Sequence, residues 1–154
     1  MKALSSVGFK NLRFVIFDAP SDANAGEYAS ALAALDVLAV VRCCSPSYSA
    51  SLLANITVHE LPFADGDAPP SHVVDAFLAL VDSNTAPLGI HCVAGLGRAP
   101  VLVAVALIEA GMAPLDAVIH IRAQRRGAIN AKQLKFIEAY KRRQRKGRSK
   151  CALM

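Results

Sequence analysis

Short apolar runs alternate along this chain with longer segments whose apolar residues recur every three or four positions. Leu12-Arg13-Phe14-Val15-Ile16-Phe17 reads as a first strand, ended by Asp18-Ala19-Pro20. Val37–Arg42 and Ile56–Leu61 are further strands, and Leu88–Cys92 is a fourth, apolar enough to be buried on both faces. Between them the spacing turns helical. Ala25–Leu35 is an Ala-rich helix capped near Ser21 or Asn24, and Ser71–Asp82 is amphipathic with Ser71 as its N-cap. Helices follow at Ala99–Ala110, Pro114–Gln124 and Asn130–Arg143. Strands alternating with helices predict an α/β fold with a mostly parallel central sheet flanked by helices, whose ligands sit at the carboxyl ends of strands.

Charge divides the chain in two. Residues 141–150 hold seven of the 17 basic residues and none of the 12 acidic ones, so the net charge of +5 belongs to the end of the chain. This predicts a folded domain over 1–140 and a polybasic tail over 141–154. The folded part carries no basic stripe interleaved with aromatics, so nucleic-acid binding is not expected. The beginning of the chain, Met1–Lys10, is too polar for a secretory signal, and no apolar run approaches the ~20 residues of a membrane span. Four cysteines do not form a disulfide framework, and His59, His72 and His120 lack ligand-like spacing, so neither a metal nor a cofactor is expected.

The strand Leu88–Cys92 leads into Val93-Ala94-Gly95-Leu96-Gly97-Arg98, and a strongly apolar helix follows at once. Strand, glycine-containing loop and helix N-terminus point successive backbone N–H groups at one spot, where they and the helix dipole hold an anion. A cysteine there is favoured as a nucleophilic thiolate. Arg98 adds a planar fork that matches two phosphate oxygens. Cys92, the loop 93–97 and Arg98 are therefore the equipment for phosphoryl transfer through a cysteinyl-phosphate. Such a reaction needs an acid for the leaving oxygen. Pro62–Pro70 is a loop that offers two candidates, Asp65 and Asp67. His91 is expected to hold the loop by hydrogen bonds. Arg122, Arg125 and Arg126 read as a solvated face with some pull on anions.

The sequence closes with Cys151-Ala152-Leu153-Met154, which fits the prenylation pattern, Met favouring farnesyl. One prenyl chain binds membranes marginally, and the basic run upstream supplies the second signal, about 1 kcal/mol per charge at an anionic leaflet. The expected location is the cytoplasmic face of the plasma membrane and endosomal membranes.

Taken together, HCVAGLGRAPVLVAVALIE over 91–109, RRGAINAKQL over 125–134, KNLRF over 10–14 and the terminal tetrapeptide resemble the prenylated phosphatase-of-regenerating-liver family, the type IVA protein tyrosine phosphatases. The resemblance spans nearly the whole chain. It implies a cysteine-based phosphatase fold and a protein tyrosine or dual-specificity phosphatase, with Cys92 as nucleophile, Arg98 as phosphate ligand and Asp65 as general acid. It also implies a phosphoprotein or phosphoinositide substrate, and docking to magnesium transport mediator domains through the same surface; self-association is a further open alternative. Cys44 aligns with the cysteine that forms a reversible disulfide with the nucleophile. The acid loop departs from the family: Leu61 stands for a Trp, Ala64 for an Asp, and Asp67 looks inserted, so that Asp67 competes with Asp65. Ala99 lacks a hydroxyl that would assist breakdown of the cysteinyl-phosphate, which predicts slow turnover and leaves a binding module as the rival role.

Overall fold

The computed structural model describes residues 1–143. Its centre is a five-stranded sheet ordered β1-β2-β5-β3-β4, formed by Ser5–Phe9 (β1), Leu12–Phe17 (β2), Ala39–Arg42 (β3), Thr57–Glu60 (β4) and Leu88–His91 (β5). β2, β5, β3 and β4 are parallel, and β1 alone is antiparallel. Five α-helices flank this mixed sheet: α1 Ala25–Ala34, α2 Ser71–Ser83, α3 Arg98–Glu109, α4 Pro114–Gln124 and α5 Ala131–Ala139.

Period-two alternation decides what each face of the sheet buries. Phe14 and Ile16 of β2 point to one side, with Val41 and Ile90, against α2, α3, α4 and α5. Val15 and Phe17 point to the other, with Val40, and pack against Tyr28 and Leu32 of α1 and Leu53. Both faces are covered, which is why these strands read as unbroken apolar runs. α3 is buried over its whole length, and this suits an element made almost entirely of Val, Leu, Ala and Ile.

Four differences from the sequence reading have local causes. β1 was not expected, because SSVGF is short and half polar; yet its alternation buries Ser5 and Val7, and the Lys10-Asn11 turn folds it back on β2. Ser71 is the first residue of α2 and not its cap: Pro70, with its fixed φ, precedes the helix, and its carbonyl accepts from Val73 and Val74. At α1 Asn24 holds the cap position, but its Oδ1 accepts from the Ser21 backbone and not from the helix. α5 is capped by Asn130 in a full capping box with Gln133, and it stops at Ala139, earlier than helix propensity suggests. There the backbone turns extended so that the Tyr140 hydroxyl and the Arg143 N–H both donate to the buried Glu109 at the end of α3. Arg143 also pairs with Asp75 of α2, so residues 141–143 follow the surface of the folded body. Cys151 and the rest of the tail after Arg143 lie outside the described residues. Among the described residues no helix is long and apolar enough to cross a membrane.

Candidate active site

β5 is the middle strand of the sheet and carries the loop 92–97 at its carboxyl end. The loop's conformation follows from where its carbonyls are held. The Cys92 carbonyl lies 3.1 Å from His91 Nδ1, Val93 O accepts from Ala19 N at 2.8 Å, and Leu96 O accepts from Ile129 N at 2.7 Å. Arg125 donates to Ala94 O at 3.1 Å and to Gly95 O at 2.8 Å, while Gly97 O takes Val101 N in the first turn of α3. Six consecutive carbonyls are thus engaged on the outside of the loop. In a planar trans peptide the N–H points opposite to the C=O. The N–H groups of residues 93 to 98 therefore face the inside, a concavity for an anion at the N-terminus of α3.

The glycines are demanded by this geometry. Gly95 has φ +72°, and a Cβ there would sit 2.5 Å from Arg125 Nη2 and 2.7 Å from Phe17 O. A Cβ on Gly97 would lie 3.0 Å from the buried Gln133 side-chain amide.

Arg98 opens α3 and is buried, the whole residue only 7% exposed. Its Nη1 donates to Phe63 O at 3.2 Å and to Cys43 O at 3.5 Å. Its Nε is buried without a hydrogen-bond partner and lies 3.6 Å from Asp65 Oδ1. An orphaned guanidinium N–H at the mouth of an N–H-lined loop is a donor kept for an acceptor that arrives from outside.

The two acidic candidates separate in space. Asp65 pairs with Arg98 with its side chain largely exposed, whereas Asp67 pairs with Lys132 of α5 at 2.6 Å. The loop bearing them is tied to the sheet through Leu61 N to Arg42 O and Phe63 N to Cys43 O.

His91 is fully buried, and desolvation lowers its pKa to about 4, so the ring is neutral. The Cys92 carbonyl next to Nδ1 can only accept; Nδ1 therefore carries the proton, and Nε2 accepts from the Tyr48 hydroxyl at 2.8 Å. Cys43 and Cys44 leave the end of β3 beside these residues, both thiols free and buried. Burial pushes the Cys44 thiol up, with the nearby Arg98 charge opposing it. Cys43 is pushed well up, again by burial and further by charge at Cys92. Cys44 Sγ lies 3.9 Å from His91 Nδ1.

Arg125 corrects the reading of a solvated face. Besides the two loop carbonyls it donates to Ala3 O, Ser5 Oγ and Ile16 O, which makes it the outer brace of the loop. Arg122 donates to Ala128 O and Ile129 O and fixes Ile129, a β-branched residue held at φ +71°. Such strain is held only where surroundings over-determine it, and here it aims the N–H that braces Leu96. Tyr48, Ala19 and Ile129 were also not anticipated. A Tyr or an Ala in a loop carries no signal of its own, and all three act through tertiary contacts.

Residues 15–112 match a family model described as "Polymorphic toxin system, DSP-PTPase phosphatase". The chain is 48% identical over 149 residues to a probable protein tyrosine phosphatase type IVA A of Dictyostelium discoideum, covering 92% of this chain and 88% of that one. It is also 48% identical to the PRL-1 phosphatase of Drosophila melanogaster, over 88% of this chain and 81% of the other. Among solved structures, a putative protein tyrosine phosphatase from Leishmania major superposes with a TM-score of 0.84 at 38% identity, covering 92% of this chain and all of that one.

Proposed function

From a chain that belongs to the protein tyrosine phosphatase type IVA (PRL) family, we propose a mechanism in which Cys92 carries the phosphoryl group as a cysteinyl-phosphate. The thiolate of Cys92 attacks phosphorus and forms the S–P bond as the P–O bond to the substrate breaks. Asp65 gives its proton to the departing oxygen. The loop N–H groups and Arg98 hold the three non-bridging oxygens, which carry the charge in the transition state. In the second step the Asp65 carboxylate takes a proton from water as that water attacks phosphorus, and the S–P bond breaks to restore the thiolate. The observation that carries this reading is the buried Arg98 Nε, with no hydrogen-bond partner and 3.6 Å from the Asp65 carboxylate, at a loop whose carbonyls are all held outward. Ala99 places no hydroxyl beside the sulfur, so the second step is the slow one.

Stoichiometric burst kinetics on purified protein test the reading. One equivalent of leaving group should be released quickly, followed by a slow steady state, and Cys92→Ser should abolish both while leaving the protein folded. A linear time course with no burst and unaltered activity in Cys92→Ser would overturn it. The substrate class we infer from the phosphatase relatives is a phosphoprotein or a phosphoinositide.

Membrane attachment through prenylated Cys151 and the polybasic run is part of the same proposal. Cys151→Ser should move the protein to the soluble fraction; its retention on membranes would sink the anchor. Reversible oxidation pairs Cys92 with Cys44. Mild peroxide should give a Cys44–Cys92 peptide that dithiothreitol reverses, and recovery of a Cys43–Cys92 peptide would reassign the partner. The absent hydroxyl at residue 99 favours a second reading, in which the occupied loop docks a protein such as a magnesium transport mediator domain. Slow breakdown of the intermediate would then prolong docking.

A further inference from the structure

The contacts that fix His91 begin at the far edge of the sheet. Glu60, on edge strand β4, receives Arg42 through both Nε and Nη2 in a forked ion pair. Arg42 itself is buried, and its guanidinium does two further things. Nη1 donates to the Tyr48 carbonyl at 3.0 Å, and the guanidinium carbon lies 4.6 Å from the centre of the Tyr48 ring. Tyr48 is thereby held at both backbone and ring, with its hydroxyl aimed at His91 Nε2. His91 passes this constraint to the Cys92 carbonyl.

The same ion pair also stands at the root of the acid loop. Glu60 is the last residue of β4, and the next residue, Leu61, donates its N–H to the Arg42 carbonyl at 2.9 Å. Asp65 follows four residues later. A buried arginine with every arm committed, one side to Glu60 at the root of the acid loop and the other to Tyr48, which reaches His91, is more than a surface pair would require.

We propose that Arg42 is a positioning residue for both halves of the reaction centre: through Glu60 it fixes the root of the acid loop, and through Tyr48 and His91 it orients the Cys92 peptide. The assignment rests on the roles proposed above for Cys92 and Asp65. It separates two effects. Breaking the Tyr48 arm leaves the tautomer to the Cys92 carbonyl but frees the His91 ring to move, and with it the first peptide of the anion loop, which weakens the hold on phosphate. Breaking the Glu60 arm leaves the loop intact and misplaces the acid.

The test uses the full chain with Tyr48→Phe, Glu60→Gln and Arg42→Met. In Tyr48→Phe the His91 ring should stay the Nδ1–H tautomer but its Nδ1–H should exchange with solvent faster, and the Kd for inorganic phosphate should rise about five- to tenfold, the loss of one buried hydrogen bond. Glu60→Gln should keep the Nδ1–H exchange rate and phosphate affinity. It should slow the burst with phenyl phosphate several-fold more than with 2,4-dinitrophenyl phosphate, whose leaving group needs no proton. Arg42→Met should show both effects; if it does not fold, the two milder variants decide. The proposal is overturned if folded Tyr48→Phe keeps the wild-type Nδ1–H exchange rate and phosphate affinity, or if Glu60→Gln slows both substrates equally. A wild-type protein that binds phosphate but gives no burst would instead refute the phosphatase mechanism, with the Nδ1–H exchange and affinity readouts still valid for positioning.

Discussion

Gly95→Ala is the substitution whose cost can be worked out most directly from the loop. At φ +72° an L-residue carries about 1–2 kcal/mol of backbone strain. The new methyl also meets Phe17 O, a β2 carbonyl that cannot retreat, and the Arg125 guanidinium, which can. If the guanidinium moves, its bonds to Ala94 O and Gly95 O stretch or break, and hydrogen bonds from a charged donor are worth about 1.5–3 kcal/mol each. With partial relaxation the total is about 3–4 kcal/mol, a fall of roughly 10 °C in Tm for a chain of this size. Differential scanning calorimetry and burst amplitude should be measured on Gly95→Ala, Arg125→Ala and the double variant. The double variant should cost less than the two singles together, because the side chain that collides is already gone. A Tm within about 3 °C of wild type for Gly95→Ala, or strict additivity in the cycle, would refute the reasoning that Arg125 and the Gly95 backbone share one space.

Asp65→Ala should slow the burst on phenyl phosphate more than Asp67→Ala, since Asp67 is engaged by Lys132 and Asp65 by Arg98; equal effects would move the acid to Asp67. Ala99→Ser should raise the steady-state rate about 5- to 150-fold without changing the burst amplitude, the range expected for one preorganised donor worth about 1–3 kcal/mol. Because the folded protein holds His91 neutral with a pKa of about 4 against about 6.5 unfolded, stability is full above pH 6.5 and declines as pH falls towards 4. Between pH 7.5 and 5 this amounts to about 2 kcal/mol, which urea midpoints should register and which His91→Asn should largely remove.

The apolar runs made the four parallel strands legible, and Pro114 marked the start of α4 at the right residue. These elements are specified by their own composition. β1 was invisible because two serines and a glycine become a strand only when β2 is there to pair with them. The end of α5 was misjudged for a similar reason: nothing in Tyr140–Arg143 opposes a helix, and it is the buried Glu109 that draws the chain out of it. At the site, Cys92 and Arg98 stood out because loop, glycines and helix are contiguous in sequence. The braces did not. Arg125 reaches the loop from 30 residues away and Tyr48 reaches His91 from 43, and such pairings arise only from the order of strands.

That order has a consequence for how the molecule comes into being. β2 and β3 are neighbours in sequence but not in space; β5 lies between them. A nascent chain that has emerged only as far as α2 therefore owns two separate half-sheets, β1–β2 and β3–β4, each with an unpaired inner edge. Neither can close on the other until residues 88–91 arrive and insert between them. Long-range closure of this kind is slow and makes folding all-or-none. The anion loop hangs from that last-inserted strand, so it forms in the same event as the core. Amide exchange in Leu88–His91 should accordingly proceed only through global unfolding, and a polypeptide that ends before this strand has nothing to fold around.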